Sequence, residues 1–245
     1  MHAIVLAAGV GRRLLQDRPR PKCLLEFAGR SLLARHYANL AAVGVSRVSL
    51  VLGFAAAEVE HALGDCPGLP TLVRYNPLYT LGSCVSLWMA RQSLTCGDDV
   101  LLMDADVLYH PDILRRLVTS PHPNCFLLDR DFVAGDEPVK ICLNDGRIVE
   151  FRKQLATTLR YSTIGESVGF FKFDATTALR LALLLDGYVA DGRRAQAHEE
   201  ALRELALMPD APVGVEDVTG LPWIEIDFPA DVERAVNTLV ALVDA

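Results

Sequence analysis

Two glycines and two cations near the start of the chain are the residues whose types and spacing point most clearly to chemistry. Gly9 and Gly11 end an apolar run that contains β-branched residues, and Arg13 and Lys22 follow them. The backbone N–H groups of such a loop can face an anion, and the two cations can hold its charge from the other side. The pattern predicts a strand that leads into a loop suited to the phosphates of a nucleoside triphosphate.

Two better-known glycine motifs do not fit this loop. The dinucleotide-binding loop has the pattern Gly-x-Gly-x-x-Gly, and Leu14 stands where the third glycine is needed. This disfavours a nicotinamide-dependent oxidoreductase. The P-loop has the pattern Gly-x-x-x-x-Gly-Lys-Ser/Thr, and the chain contains no such run. A plain β-turn with two glycines stays open from the loop alone.

Two pairs of carboxylates end apolar segments further along the chain. Asp104 and Asp106 follow the apolar run 100–103. Glu225 and Asp227 end a second apolar segment, just before a predicted helix. Ligands of open α/β sheets bind at the carboxyl ends of the strands, and Mg²⁺ prefers carboxylate oxygen. Each pair is a candidate metal site, although a helix cap explains each pair equally well from the residues alone.

The hydrophobic pattern predicts the elements that must position these residues. The predicted strands are Ala3–Ala8, Val48–Leu52, Thr71–Tyr75, Asp99–Met103, Cys125–Leu128, Lys140–Leu143, Ile148–Phe151, Val168–Phe173 and Trp223–Asp227. The predicted helices are Ser31–Val43, Ala55–Leu63, Ser83–Ser93, Pro111–Val118, Ala175–Leu185, Ala197–Leu207 and Pro229–Val243. Their alternation up to about residue 120 indicates a mostly parallel α/β sheet with crossover helices. Residues 128–165 form a β-rich lobe in this prediction, with a hairpin turn at 144–146.

Composition limits the classes of function. A net charge of −7 argues against a nucleic-acid surface, which is usually basic. No apolar stretch reaches the roughly 18 residues expected of a membrane span, and no secretory signal is visible. Six cysteines without Cys-x-x-Cys pairing indicate free thiols and a cytoplasmic location, and six scattered histidines lack metal-ligand spacing.

The motif Leu-Ala-Ala-Gly-x-Gly-x-Arg-Leu at 6–14, together with Arg-Pro-Lys at 20–22, resembles the signature of nucleotidyltransferases that activate sugar and alcohol phosphates. The resemblance implies a single Rossmann-like nucleotidyltransferase domain over 1–245. It also implies that Arg13 and Lys22 hold the phosphates of the nucleotide. The loop residues expected to contact the nucleotide are Leu6, Ala7, Ala8, Gly9 and Gly11.

The same resemblance assigns the acids. It implies that Asp106 and Asp227 bind Mg²⁺ and that Asp104 lies near the nucleotide sugar. Segment 75–88 is similar to the part of phosphocholine and related cytidylyltransferases that lies against base and ribose. There Asn76, Ser83 and Ser86 are expected to contact the nucleotide; that Ser83 only caps the following helix is the simpler alternative.

Weaker similarities in segments 139–141, 150–153 and 165–169 extend to the acceptor. They imply that Lys153 faces phosphate and that Glu166 faces the acceptor, whereas Lys140 is either a phosphate contact or a surface lysine. Trp223 and Glu225 complete the acceptor residues. The full set of candidates for a cage around a quaternary ammonium is Tyr161, Phe170, Trp223, Glu166 and Glu225, although strand aromatics are more often core.

The implied activity is Mg²⁺-dependent transfer of a cytidylyl group from CTP to a small phosphorylated alcohol, aminoalcohol or phosphonate. A phosphomonoester has a second pKa near 6, so the nucleophile is already an anion at neutral pH. Catalysis is then mainly positioning and charge neutralisation by Arg13, Lys22 and Lys153. A sugar-1-phosphate uridylyl- or guanylyltransferase and a non-catalytic nucleotide-binding regulatory module are the alternatives. The identity of the acceptor and the existence of a homodimer stay open.

Overall fold

A mixed β-sheet forms the middle layer of the protein. The computed structural model describes residues 1–14, 20–66, 68–210 and 212–244. The strands are β1 His2–Ala7, β2 Glu26–Phe27, β3 Arg30–Ser31, β4 Arg47–Leu52, β5 Thr71–Tyr75, β6 Val100–Asp104, β7 Val107–Tyr109, β8 Cys125–Asp129, β9 Lys140–Asn144, β10 Arg147–Arg152, β11 Thr163–Phe173, β12 Gly214–Asp217 and β13 Trp223–Glu225. The helices are α1 Leu32–Ala42, α2 Ala56–Ala62, α3 Ser83–Met89, α4 Arg91–Leu94, α5 Pro111–Thr119, α6 Ala175–Ala190, α7 His198–Ala206, α8 Pro229–Arg234 and α9 Val240–Val243. Short 3₁₀ turns cover Lys22–Leu24 and Leu63–Asp65, and Ala235–Leu239 form a π-helical turn.

Within the described residues, nine strands share one sheet. Its main path is β10-β9-β11-β6-β1-β4-β5, with β8 attached to β11 and β12 attached to β8. The strands β6, β1, β4 and β5 are parallel, whereas β11 runs antiparallel to β6, β8 and β9. The predicted fold class, a mostly parallel mixed sheet flanked by helices, is confirmed. The boundaries of the 128–165 lobe stay a prediction.

Alternating side chains of the central strands supply two hydrophobic layers. Ala3 and Val5 of β1 pack into the layer that contains buried residues of α1, α2 and α5. Ile4 packs into the opposite layer with buried residues of α3, α6 and α7. Burial on both faces is typical of central parallel strands, and it directs the carboxyl ends of β1 and β6 to one edge of the sheet.

Several predicted elements differ in detail. The predicted helix over 83–93 divides at Ala90, and the predicted strand over 223–227 ends at Glu225. The sequence analysis did not identify β7 or β12, because each is short and is stabilised by pairing with a distant strand. The predicted turn is confirmed: Asp145 and Gly146 both have positive φ, as a tight hairpin turn requires.

One predicted cage residue belongs to the core instead. Phe170 is fully buried, and its ring centroid lies 4.7 Å from that of Tyr109. The prediction that Phe170 belongs to an acceptor cage is wrong, because its side chain packs in the hydrophobic layer that contains the buried residues of α1. Among the helices in the described part of the chain, none has both the length and the apolar character needed to cross a membrane.

Lys140 is neither a phosphate contact nor a surface lysine. The residue is buried at the start of β9. Its ammonium group donates to three carbonyl oxygens, those of Gly135 at 2.7 Å, Pro138 at 3.2 Å and Lys153 at 2.6 Å. It therefore ties the loop before β9 to the end of β10.

Replacement of Lys140 by Met should destabilise the fold, because three carbonyl oxygens lose a charged donor and the contact between the loop and β10 is lost. We expect the free energy of unfolding to fall by about 2–3 kcal/mol. Denaturant unfolding measures this loss. The matched control is Arg180→Met, which removes an exposed ion pair with Asp210 and should cost less than about 1 kcal/mol. Equal stability of K140M and wild type would contradict the structural role.

Candidate active site

The glycine loop follows β1 and lines a cleft of about 230 Å³. Gly11 has φ +65°, and a Cβ atom there would lie 3.1 Å from Cγ of Lys22. Glycine therefore gives both the turn and the space for the lysine beside it. The predicted residues that line this cleft are Leu6, Ala7, Gly9, Gly11, Arg13, Lys22 and Asp106. Ala8 is buried, and its carbonyl accepts the N–H of Phe54 at 3.1 Å, so it supports the loop from behind.

Lys22 lies between two of the predicted acids. Its Nζ atom is 2.8 Å from Oδ2 of Asp106 and 2.5 Å from Oδ1 of Asp227. Arg13 donates to the other oxygen of Asp227 at 2.7 Å. Burial by itself would lower the pKa of Lys22, but the two carboxylates outweigh it and raise this pKa above its ordinary value. Lys22 is therefore held as a cation.

Three carboxylates converge beside this lysine. One oxygen from each of Asp106, Glu225 and Asp227 lies within 4.8 Å of the others. The β7–β13 ribbon brings them together, because Glu225 pairs with Val107 and the N–H of Ile226 donates to the carbonyl of Asp106 at 2.9 Å. Desolvation, followed by the charges of Asp106 and Asp227, raises the pKa of Glu225 well above its usual range.

This carboxylate group fits a divalent cation. All its ligand atoms are carboxylate oxygens, which hard cations such as Mg²⁺ prefer. The group also explains why a cation from the chain, Lys22, is drawn to it. The sequence analysis assigned Glu225 to the acceptor, whereas the structure brings its carboxylate to the two predicted metal ligands. The spacing of two residues between Glu225 and Asp227 is a sequence signal that the two carboxylates lie on the same side.

Asp104 lies at the end of β6, apart from the three carboxylates. A Cβ atom on Gly169 would lie 2.7 Å from Oδ2 of Asp104, and Gly169 has φ +80°. The glycine thus leaves room for this carboxylate against β11. Burial, the charge of Asp106 and the charge of Glu199 raise the pKa of Asp104 well above its usual range.

The polar residues of segment 75–88 bond to the protein itself. Asn76 Nδ2 donates to Oγ of Ser86 at 2.9 Å, and both side chains are buried. Ser83 Oγ accepts the backbone N–H of His198 at 2.9 Å. The alternative that Ser83 caps its own helix is wrong, because the hydroxyl caps α7 instead. Contacts of Asn76, Ser83 and Ser86 with a nucleotide stay predictions.

A second cleft, of about 460 Å³, has Asp227 in its lining. Among the described residues, seven carboxylates and one guanidinium line it: Asp129, Asp131, Glu137, Glu166, Glu225, Asp227, Asp231 and Arg234. Trp223 also lines it, and its Nε1 donates to Asp129 at 2.7 Å. Burial, with help from Asp129, raises the pKa of Glu166 to about 7. The lining favours a ligand that carries positive charge.

Glu137 links the two clefts and was missed by the sequence analysis. Its Oε2 atom lies 2.7 Å from Nη1 of Arg13 and 3.3 Å from Nζ of Lys153. Glu137 thereby brings Lys153, the predicted cation of the β-rich lobe, close to Arg13, the predicted cation of the glycine loop. Glu137 lies in a loop with several other acids, so no spacing rule distinguishes it.

A different metal-type group lies at the amino end of the sheet. His2, Cys96 and Asp98 have ligand atoms within 4.8 Å of one another, although their sequence spacing gives no motif. Arg47 already bonds to Nδ1 of His2 at 3.0 Å and to Asp98. Because a guanidinium occupies the centre of this group, we assign it no metal.

An α/β sheet whose carboxyl edge carries a glycine loop, a paired lysine and converging acids defines a nucleotidyltransferase. The chain belongs to the family of MobA-like NTP transferase domains, whose profile matches residues 3–155. The resemblance noted in the sequence is thereby confirmed.

Two relatives match almost the whole chain. CMP-5'-(3-aminopropyl)phosphonate synthase of Streptomyces rubellomurinus is 31% identical over 251 residues, covering 96% of this chain and 38% of that protein. The bifunctional IPC transferase and DIPP synthase of Rubrobacter xylanophilus is 31% identical over 234 residues, covering 94% of this chain and 50% of that protein. The chain thus spans half or less of the length of these relatives.

Solved structures show the same fold. The inositol-1-phosphate CTP transferase from T. maritima superposes with a TM-score of 0.80 at 23% identity, covering 99% of this chain and 96% of that chain. The CTP:phosphocholine cytidylyltransferase from Streptococcus pneumoniae gives 0.73 at 18% identity, covering 97% and 98%. At such identities the likeness establishes the fold alone.

Replacement of Gly169 by Ala should weaken nucleotide binding, because the new Cβ atom displaces the Asp104 carboxylate. The resemblance implies that this carboxylate lies near the nucleotide sugar. We expect the dissociation constant for the preferred nucleoside triphosphate to rise about tenfold, as when a charged hydrogen-bonding group is misplaced. Calorimetric titration measures it. The matched control is Gly146→Ala, which has a similar φ of +76° but nothing near its Cβ position. Both variants should lose at least about 1 kcal/mol of stability, because alanine is unfavourable at positive φ; equal affinities would contradict the placement of Asp104.

Proposed function

We propose that this chain transfers a cytidylyl group from CTP to a small phosphorylated or phosphonate acceptor, with Mg²⁺, and releases pyrophosphate. The observation that carries the proposal is that Asp227, which lines the acidic cleft, is paired with Arg13 and Lys22, which line the glycine-loop cleft. One cleft has a glycine loop with cations, which suits a triphosphate. The other is acidic and is reached by Lys153 through Glu137. The names of the relatives, which include CTP-dependent transferases, support the choice of nucleotide.

The chemistry requires little beyond positioning and charge. An oxygen of the acceptor's phosphate or phosphonate attacks the α-phosphorus of CTP, the bond from that phosphorus to the β-phosphate oxygen breaks, and pyrophosphate leaves. Arg13 and Lys22 hold the triphosphate, and Lys153 neutralises the acceptor's anionic group. Asp106 and Asp227, with Glu225, would hold Mg²⁺, which supplies charge neutralisation for the phosphate oxygens. Such a reaction depends mainly on electrostatic stabilisation.

The acceptor cleft favours an aminoalkyl acceptor over a polyol. Its carboxylates outnumber its cations strongly, and Trp223 adds an aromatic surface. An ammonium group gains charge-assisted contacts with such a wall, whereas inositol phosphate offers neutral hydroxyls only. The relative named for an aminopropylphosphonate product supports this choice. Glu166 and Trp223 are the acceptor residues of the proposal, and Glu225 lines the same cleft but is assigned to the metal group.

Pyrophosphate release across four nucleoside triphosphates and a panel of acceptors tests the proposed function. The panel contains phosphocholine, aminoalkyl phosphonates, inositol phosphate and sugar 1-phosphates. We expect release with CTP and an aminoalkyl acceptor, and loss of release on chelation of Mg²⁺. Release only with UTP or GTP and a sugar 1-phosphate would support the sugar-activating alternative. Nucleotide binding without any release would support the regulatory module.

Asp106→Asn and Asp227→Asn are the variants for the same assay. Each should lower kcat/KM by at least about 10²-fold, because charge stabilisation at the reacting phosphate is lost. The folds should remain intact, since each change also reduces repulsion within the acid group. Asp210→Asn, an exposed acid paired with Arg180, is the control and should keep full activity. Full activity of both active-site variants would refute the metal assignment.

The ionisation of Glu166 should control binding of a cationic acceptor. Its pKa is about 7, raised by burial and Asp129 and opposed by Lys140, Arg234 and Lys153. KM for an aminoalkyl acceptor should therefore fall as the pH rises from about 6 to 8. Glu166→Gln should remove this pH dependence of KM and leave only the pH dependence that comes from ionisation of the acceptor's own phosphate. An unchanged profile in E166Q would contradict the assignment.

The stability of the protein gives a second measurement of the same group. The folded protein holds this proton more tightly than the unfolded chain does, whose glutamate pKa is about 4.5. Protonated Glu166 therefore contributes stability below pH 4.5, and that stability is lost as the pH rises to about 7. The unfolding free energy of wild type, relative to that of E166Q, should therefore fall as the pH rises from about 4.5 to about 7.

The location and the assembly of the protein are part of the proposal. A cytoplasmic location fits a reaction that consumes a nucleoside triphosphate, because cells keep these nucleotides in the cytoplasm. The sequence leaves the existence of a homodimer open, and light scattering at several protein concentrations would test it.

A further inference from the structure

His198 carries a buried nitrogen that makes no hydrogen bond within the described part of the chain. The residue begins α7 and is 3% exposed, and its Nε2 atom is without a partner. A buried polar atom of this kind is unfavourable unless another group satisfies it. Nε2 lies 3.7 Å from Oδ1 of Asp104, the acid that the family resemblance implies to lie near the nucleotide sugar.

The rest of the imidazole ring is fixed in position. Its Nδ1 atom lies 3.0 Å from Oγ of Ser83 and 3.1 Å from Oε2 of Glu199. The same serine hydroxyl accepts the backbone N–H of His198 at 2.9 Å. The ring of Phe171 meets it edge-on, with centroids 6.5 Å apart. Rotation of the ring would break these contacts, so Nε2 keeps its direction toward Asp104.

The backbone around His198 is equally constrained. A Cβ atom on Gly82 would lie 2.6 Å from the carbonyl oxygen of Gln196, and the N–H of Cys84 donates to that oxygen at 3.1 Å. The beginnings of α3 and α7 therefore touch through their backbones. This contact holds His198 beside the segment that is expected to face the nucleotide.

Asp104, in contrast, has no hydrogen bond to its carboxylate from any residue that the structure describes. Gly169 leaves it space on one side, and His198 is the side-chain donor within 4 Å on the other. A shift on the order of 1 Å would bring Nε2 to the distance of a charge-assisted hydrogen bond.

We propose that His198 is a positioning residue that holds Asp104 for the ribose of the bound nucleotide, and so sets the preference for a ribonucleotide over its 2′-deoxy counterpart. The inference rests on the proposed function, together with the expectation from the resemblance that the nucleotide sugar lies against Asp104. A ribose hydroxyl donates a hydrogen bond to a carboxylate, and the deoxy analogue lacks one such donor. Sites that bond a substrate hydroxyl discriminate against the analogue that lacks it.

The test measures dissociation constants of CTP and dCTP by calorimetry, with Mg²⁺ and without acceptor. Four variants isolate the Nε2 contact: H198Q, H198N, H198F and D104N. A glutamine amide can reach the Nε2 position, an asparagine amide reaches only the Nδ1 position, and phenylalanine keeps the ring volume without a donor. H198F therefore serves as the informative variant where H198N does not fold.

Wild type should bind CTP at least about tenfold more tightly than dCTP, because dCTP lacks a hydroxyl that the site binds. H198N and H198F should lower this ratio about fivefold or more, whereas H198Q should keep it within about twofold. In the D104N background H198F should change the ratio no further, as expected of two coupled groups. A purely structural role would lower stability and both affinities together and leave the ratio unchanged.

Three results would overturn the inference. A wild-type ratio near one, with firm CTP binding, refutes the ribose role and leaves the proposed function intact. An equal loss of the ratio in H198Q and H198F refutes positioning through Nε2. Failure of wild type to bind any of the four ribonucleoside triphosphates refutes the proposed function and this inference with it.

Discussion

The ammonium group of Lys22 between Asp106 and Asp227 is the interaction on which the site depends. Two like charges about 4 Å apart repel by roughly 4 kcal/mol near a protein surface, and here three carboxylates converge. Without a cation among them they would separate or remain protonated. Lys22 compensates for this repulsion within the chain itself, at 2.8 Å and 2.5 Å from its two partners. A bound metal ion would take over the same electrostatic task, which frees the lysine for the phosphates.

The framework around this interaction consists of contacts between distant parts of the chain. Gly11 gives the lysine stem room beside the glycine loop. The short β7–β13 ribbon brings Asp106 to Asp227 across more than a hundred residues. The central parallel strands supply rigidity, because their side chains are buried on both faces. The site is therefore rigid on the phosphate side, where charges must be placed accurately for in-line displacement.

The sequence predicted the parts of this arrangement that are local. The strand, loop and cations of residues 3–22 form one continuous motif, and Asp104 and Asp106 follow a single apolar run, so spacing makes them candidates and the family resemblance assigns their roles. The sequence did not indicate that Glu225 joins Asp106, because that contact requires a three-residue strand pairing with no hydrophobic signature of its own. Glu137 and His198 were missed for a related reason: their partners lie 124 and 94 residues away in the chain.

The two clefts differ in charge, and in the proposed function this difference sets the direction of the acceptor. In the proposed function, Arg13, Lys22 and Lys153 supply the positive charge for the phosphate groups, whereas Glu166 and Asp129 line the acidic cleft. An acceptor with an anionic group at one end and an ammonium group at the other can pair with the cations and with the carboxylates in a single orientation. That orientation directs its phosphate or phosphonate oxygen toward the nucleotide. A polyol phosphate, which has no ammonium group, would leave the acidic cleft without a counter-charge, and only hydroxyl contacts would orient its polyol end.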